Sequence, residues 1–172
     1  MAISLYEASV TSYLQILAAA SNVLDKGLLH CREHQLDPET LVETRLHDDM
    51  RPFRFQIHSL AFHSLGALES IRIGTFQAPP EQPAHDYAGL QALLVETREA
   101  LHKLTPEEIN AYEGKDLIFK GSSVRTFTAE GFLLSFSLPN FYFHATTAYD
   151  ILRWKGVPVG KRDYIGAPRV KT

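Results

Sequence analysis

The chain has 172 residues, 45% apolar and 22% charged, with 17 lysines and arginines against 20 aspartates and glutamates and a formal net charge of −3. That length suits one domain, spanning 1–172, with a real hydrophobic core, and the slight acidity argues against a nucleic-acid surface. The single cysteine, Cys31, excludes an internal disulfide and a cysteine-based zinc site. No run of about 18 apolar residues is present to span a membrane, and with no basic leader ahead of an apolar segment the expected location is the cytoplasm.

In chain order, Ser4 and Glu7 have the spacing of a capping box, and Val10, Tyr13, Leu14, Leu17, Leu24 and Leu28 follow at three- and four-residue steps. The pattern predicts a first long helix from Ser4 to Cys31 or Glu33 with one buried stripe. Asp37-Pro38 reads as an N-cap and first helical position, predicting a short helix from Pro38 to Arg45. Asp49 and Pro52 start a second long helix, with Phe55, Leu60, Phe62, Leu65, Leu68 and Ile71 on its apolar face, ending before Gly74. The proline-rich TFQAPPEQPAHD is a loop. Asp86 caps a third helix carrying Leu90, Leu93, Leu94, Leu101 and Leu104, and Thr105-Pro106-Glu107-Glu108 starts a short helical turn. LIFKGSSVRTFT has β-branched and aromatic residues on both sides of Gly121-Ser122-Ser123, which predicts a small β-hairpin leaning on the helices. The last long helix runs from near Thr128 to Trp154 with Gly156 as its cap, and Pro139 within it should kink it or start a new segment. The tail, 156–172, reads as irregular, a solvated extension or a subunit contact. The expected fold is all-α: a four-helix bundle with short extra helices and a small β-hairpin before the last helix.

PNFYFHATTAYDILRWKGV is the most informative segment. His144 lies there on a helix apolar on nearly every side, so the helix is central. A buried imidazole needs a hydrogen-bond partner and favours its neutral form. In that form it can ligate a metal, act as a base or hold a structural hydrogen bond. On the second helix, His58 and His63 stand five residues apart, about 140° around the axis, so at most one can face His144. His63 shares the phase of Ser59, Leu60 and Ala67 and is the better candidate. Tyr142 could add a hydroxyl to the pocket or be a core aromatic with a wet end. Tyr6 and Tyr13, seven apart, share a face that ordinary packing also explains. Asp48 and Asp49 suit the positive end of the second helix. Cys31 is read as non-catalytic. No glycine-rich phosphate loop, nucleophile elbow or HExxH is present.

Four segments, SLYEASVTSYLQIL, LHDDMRPFRFQI, FHSLGA and PNFYFHATTAYDILRWKGVPVGKRDYIG, resemble a domain-of-unknown-function branch of the DinB/YfiT-like metalloenzyme superfamily. The likeness runs from Leu5 to Gly166. It implies an up-down-down-up four-helix bundle, often a homodimer. In that superfamily a second-helix histidine and an HxxxH pair on the fourth helix hold a divalent metal, and some members transfer thiols or act as hydrolases. Residue by residue, the ligands would fall on His63 and His144, but the second half of the HxxxH pair falls on Ala148, which has no donor atom. Asn140, or a carboxylate such as Asp48 or Asp49, would have to complete a weak site for zinc, nickel or manganese.

Three readings follow. In the first, the metal site is degenerate and an apolar pocket binds a small organic ligand. His63, His144 and Tyr142 are then the candidate catalytic residues for proton transfer of isomerase, cyclase or dehydratase type. In the second, His63, His144 and a third oxygen ligand hold a divalent metal for transferase or hydrolase chemistry. In the third, the chain is a non-enzymatic structural dimer. The sequence leaves open whether the protein is an enzyme.

Overall fold

The computed structural model describes residues 3–78, 83–121 and 123–171. Residues 79–82 of the proline-rich loop and Ser122 of the hairpin turn lie outside the described residues. The first long helix comes in two pieces, α1 (Leu5–Ala8) and α2 (Val10–Glu33). The predicted capping box at Ser4 is formed, with the Ser4 hydroxyl accepting from the Glu7 N–H at 3.1 Å. The helix is not continuous from there. Ser9 interrupts it, its hydroxyl donating to the Leu5 carbonyl at 2.6 Å and competing with the backbone for that acceptor. A short α3 (Glu39–Val42) replaces the longer helix expected from Pro38 to Arg45.

The second long helix joins α4 (Phe53–Ala61), a π-helical turn (Phe62–Gly66) and α5 (Ala67–Ile73). It ends at Gly74 in the left-handed conformation, φ 79°, which favours glycine. The third is α6 (Tyr87–His102), whose N-cap Asp86 accepts from the Gly89 N–H at 2.7 Å, and α7 (Pro106–Asn110) carries the Thr105 capping box. The fourth joins α8 (Ala129–Phe132), another π-turn (Leu133–Ser137) and α9 (Leu138–Trp154). It closes as predicted at Gly156, φ 91°, with the Val157 N–H reaching back to the Leu152 carbonyl at 3.0 Å.

Around the bundle, α2 packs against α6 and α9, and α4 packs against the same two, so α2 and α4 stand diagonally opposite. Of the predicted stripes, Val10, Tyr13, Leu17, Leu24, Leu60, Leu68, Ile71, Leu90, Leu94 and Leu101 are buried. Phe55 and Phe62 are only partly buried and line a cleft instead. Among the described residues no helix is long and apolar enough to cross a membrane.

Two further expectations are corrected. The predicted hairpin, β2 (Asp116–Lys120) and β3 (Val124–Thr128), is joined by β1 (Thr75–Gln77), placed in the sequence reading within a loop. Strand β1 runs parallel to β2, with Phe76 opposite Phe119. Phe76 is 2% exposed, and burying its ring in a phenylalanine cluster draws this short segment into a sheet whose partner lies far along the chain. The tail is likewise not irregular throughout. Val157 and Val159 are buried, and α10 (Lys161–Ile165) lies on α2, where Asp163 pairs with Lys26 at 2.6 Å and Gln15 Nε2 donates to the Ile165 carbonyl at 3.0 Å.

Candidate functional site

Both helices that carry candidate histidines contain a π-turn, and the site is built around those turns. On the fourth helix, Pro139 has no N–H and its ring crowds the carbonyl one turn earlier. The chain widens over Leu133–Ser137 to accommodate it. On the second helix the Ser64 hydroxyl inserts into the ladder, donating to the Leu60 carbonyl at 2.6 Å. The two π-turns meet. Ser137 Oγ donates to the His63 carbonyl at 2.5 Å, so its one proton is committed, and Tyr13 on α2 donates to Ser137 Oγ at 2.7 Å. Tyr13 and Ser137 are fully buried. Burial holds the Tyr13 phenol well above its usual pKa, with the Ser137 bond opposing the shift in part.

This bridge fixes the backbone beneath a cleft of about 630 Å³. Its apolar lining comes from Phe55, Phe62, Phe76, Phe119 and Phe136, and its polar lining from His63, His144, Ser59, Asn140, Arg45, Arg51 and Arg54. His63 and His144 are each 8% exposed, and their rings stack with centroids 5.6 Å apart and an interplanar angle of 12°. His144 Nδ1 lies 2.7 Å from Gln56 Oε1, while Gln56 Nε2 donates to the Arg51 carbonyl at 2.9 Å. That second bond sets which end of the amide faces the histidine. Nδ1 of His144 must therefore carry the proton, leaving the lone pair on Nε2. His63 Nδ1 is buried with no hydrogen-bond partner among the described residues. Burial pushes both imidazoles down to about 4, and for His63 the neighbouring His144 adds to the effect. At neutral pH the pair is uncharged.

His58 takes no part in this cleft. It is buried and stacks on His85, with Nε2 of His58 and Nδ1 of His85 3.2 Å apart. Tyr142 is not brought to the histidines: it is 38% exposed and its ring abuts Phe141. Cys31 is buried, and burial together with the Asp37 carboxylate raises its thiol pKa. Gln56 was not among the residues singled out from sequence. Its signal was available, since Gln56 and His63 are seven apart and so share a helical face.

A divalent metal would find two imidazoles here, with Asn140 lining the same cleft and its amide nitrogen donating to the Phe136 carbonyl at 2.7 Å. Ala148 is buried in a different place, packed with Ala145 against Ile16, Val23 and Leu24 of the first helix and Tyr149 and Tyr164. Asp48 and Asp49 are exposed, and Asp49 pairs with His47 at 2.7 Å. Among the described residues no group of three or more histidine, cysteine, aspartate or glutamate side chains is arranged to hold a metal ion. Among the described residues the cleft is lined by three arginines and no carboxylate, with Ser59 and Asn140 its neutral oxygen donors, a set poorly matched to a divalent cation.

Comparison with known proteins agrees with the architecture. A solved structure described as a DinB family member protein from Shewanella denitrificans superposes with a TM-score of 0.83 at 24% identity, over 98% of this chain and 95% of that one. No curated protein matches the sequence. The family model of a domain of unknown function, DUF1993, matches residues 5–165. A match over that span, on a helical bundle superposing this closely, establishes that the chain belongs to the DUF1993 family and has a DinB-like fold.

Proposed function

We propose that the cleft between the second and fourth helices binds a small organic molecule with an aromatic or apolar body, and that His144 and His63 move a proton on it. The observation that carries this reading is the Gln56–His144 bond, which presets one tautomer of a neutral base beside a second neutral imidazole. A base whose lone pair is held ready, in a pocket with a phenylalanine floor, suits isomerase, cyclase or dehydratase chemistry on a hydrophobic substrate. The orphaned Nδ1 of His63 supports the same reading, because an unpaired buried polar atom costs about 1–3 kcal/mol and a ligand could supply its partner. The metal-dependent alternative gains no support from the side chains around the cleft.

The test uses a neutral aryl probe. Titrating 2-naphthamide into protein labelled at histidine should shift the His63 and His144 imidazole resonances and leave those of exposed His34 and His102 in place. Exchange of the α-protons of phenylacetone in heavy water should then exceed the buffer rate and lose that excess in His144→Gln. Unmoved resonances together with exchange at the buffer rate would sink the reading.

A further inference from the structure

Resting on the reading of the cleft just given, we infer that its ligand is an anion: a small organic carboxylate whose charged head sits at the mouth and whose apolar body lies on the phenylalanine floor. The chain as a whole carries more acid than base, 20 against 17, yet among the described residues this cleft is lined by Arg45, Arg51 and Arg54 with no aspartate or glutamate. The three arginines are not equivalent. Arg54 Nε already pairs with Glu43. Arg45 and Arg51 have no carboxylate partner among the described residues: Arg45 Nη1 donates to the Met50 carbonyl at 2.6 Å, and the Arg51 guanidinium lies over the Phe55 ring, 4.7 Å from its centroid. Each keeps donors to spare, and a planar fork of donors matches a carboxylate in two places at once.

Two further features point the same way. Helix α4 begins at the mouth with Pro52 as its N-cap, has no side-chain cap and has no acidic residue in its first turn. Its first N–H is taken by the Thr44 carbonyl at 2.8 Å, and no side-chain carboxylate caps its positive end. Deeper in, His63 is more than nine-tenths buried and its Nδ1 has no partner among the described residues. Cation at the rim, uncharged imidazoles within and aromatic rings beneath form a gradient that fits an amphiphilic acid rather than a metal ion or a neutral hydrocarbon.

The experiment compares two probes of one shape, 2-naphthoate and 2-naphthamide, by calorimetric titration near neutral pH and low salt. The carboxylate should bind about tenfold or more tightly than the amide, the size expected of one charge-assisted contact. Arg51→Gln should remove most of that preference, and Arg51→Lys, which keeps the charge without the fork, should retain part of it. Affinity for 2-naphthamide should stay within about twofold in both variants. Equal affinity for the two probes overturns the inference and leaves the cleft reading standing. An unchanged preference in the Arg45→Gln, Arg51→Gln double variant overturns it too. If neither probe binds the unaltered protein, the cleft reading itself fails and takes the inference with it.

Discussion

His144 shows how much one hydrogen bond decides. Its Nδ1–H is spent on Gln56, and Gln56 is held in turn by the Arg51 carbonyl. Gln56→Leu should therefore cost about 1–3 kcal/mol, because it leaves the His144 donor buried and unsatisfied. Urea denaturation would read the loss, and a stability equal to the parent would mean that the amide does not hold the ring. Acid should act on the same groups. Both histidines titrate near 4 in the folded protein against an ordinary value of 6.5. Between those values the unfolded chain takes up protons that the folded one refuses. Stability is then complete above about pH 6.5 and falls as pH drops toward 4, by a few kcal/mol in order of magnitude. His58, also lowered by burial and by His85, adds to the loss with the same sign. A urea midpoint that stays flat from neutral pH down to about 4.5 would contradict this assignment. At this scale His63 and His144 were legible from helical phase and apolar surroundings. Arg45 and Arg51 were not, because a surface arginine looks the same in sequence whether or not a cleft lies beside it.

At the scale of elements, the π-turns tie three helices together through Tyr13, Ser137 and the His63 carbonyl. Ser137→Ala removes the shared hydroxyl and strands the fully buried Tyr13 donor, so it should cost about 1–3 kcal/mol. Tyr13→Phe should cost less in the Ser137→Ala background than in the parent, and a double-mutant cycle with no coupling would argue against the bridge. The sequence carried one half of this arrangement. Pro139 announced a disturbance of the last helix, and the disturbance took the form of a widened turn rather than a break. The π-turn at Phe62–Gly66 had no such herald, since it depends on a serine hydroxyl and on packing against the fourth helix. Strand β1 was hidden for a related reason: three residues after a helix-ending glycine have no periodicity of their own, and their pairing with β2 is long-range. Helix ends were more readable, because Ser4, Asp86, Thr105 and Gly156 act through contacts only a few residues away.

Across the whole molecule, the bundle was legible because its stripes repeat at helical spacing over long stretches, while the tail was not, because its order comes from lying on α2. The contact of α2 with α6 is tight. A Cβ added at Gly27 would come within 2.3 Å of the Tyr87 hydroxyl, which donates to the Leu24 carbonyl at 2.8 Å. Gly27→Ala should lower stability by about 1–3 kcal/mol despite alanine's better helix propensity, since the displaced tyrosine loses a buried bond. A thermal melt at or above the parent's would show that the helices part more easily than this packing implies. Ala148→His tests the other side of the fold. The residue lies one turn beyond His144, where it lines a separate small cavity against the first helix and not the histidine cleft, so the variant should lose stability through overpacking and gain no zinc affinity. The most direct test of the account is a long-range proton–nitrogen correlation spectrum of histidine-labelled protein, followed from neutral pH into acid. The account predicts that His144 appears as the Nδ1–H tautomer and that His63 and His144 stay neutral until the pH approaches 4. An Nε2–H tautomer at His144, or protonation of either ring near pH 6.5, would contradict it.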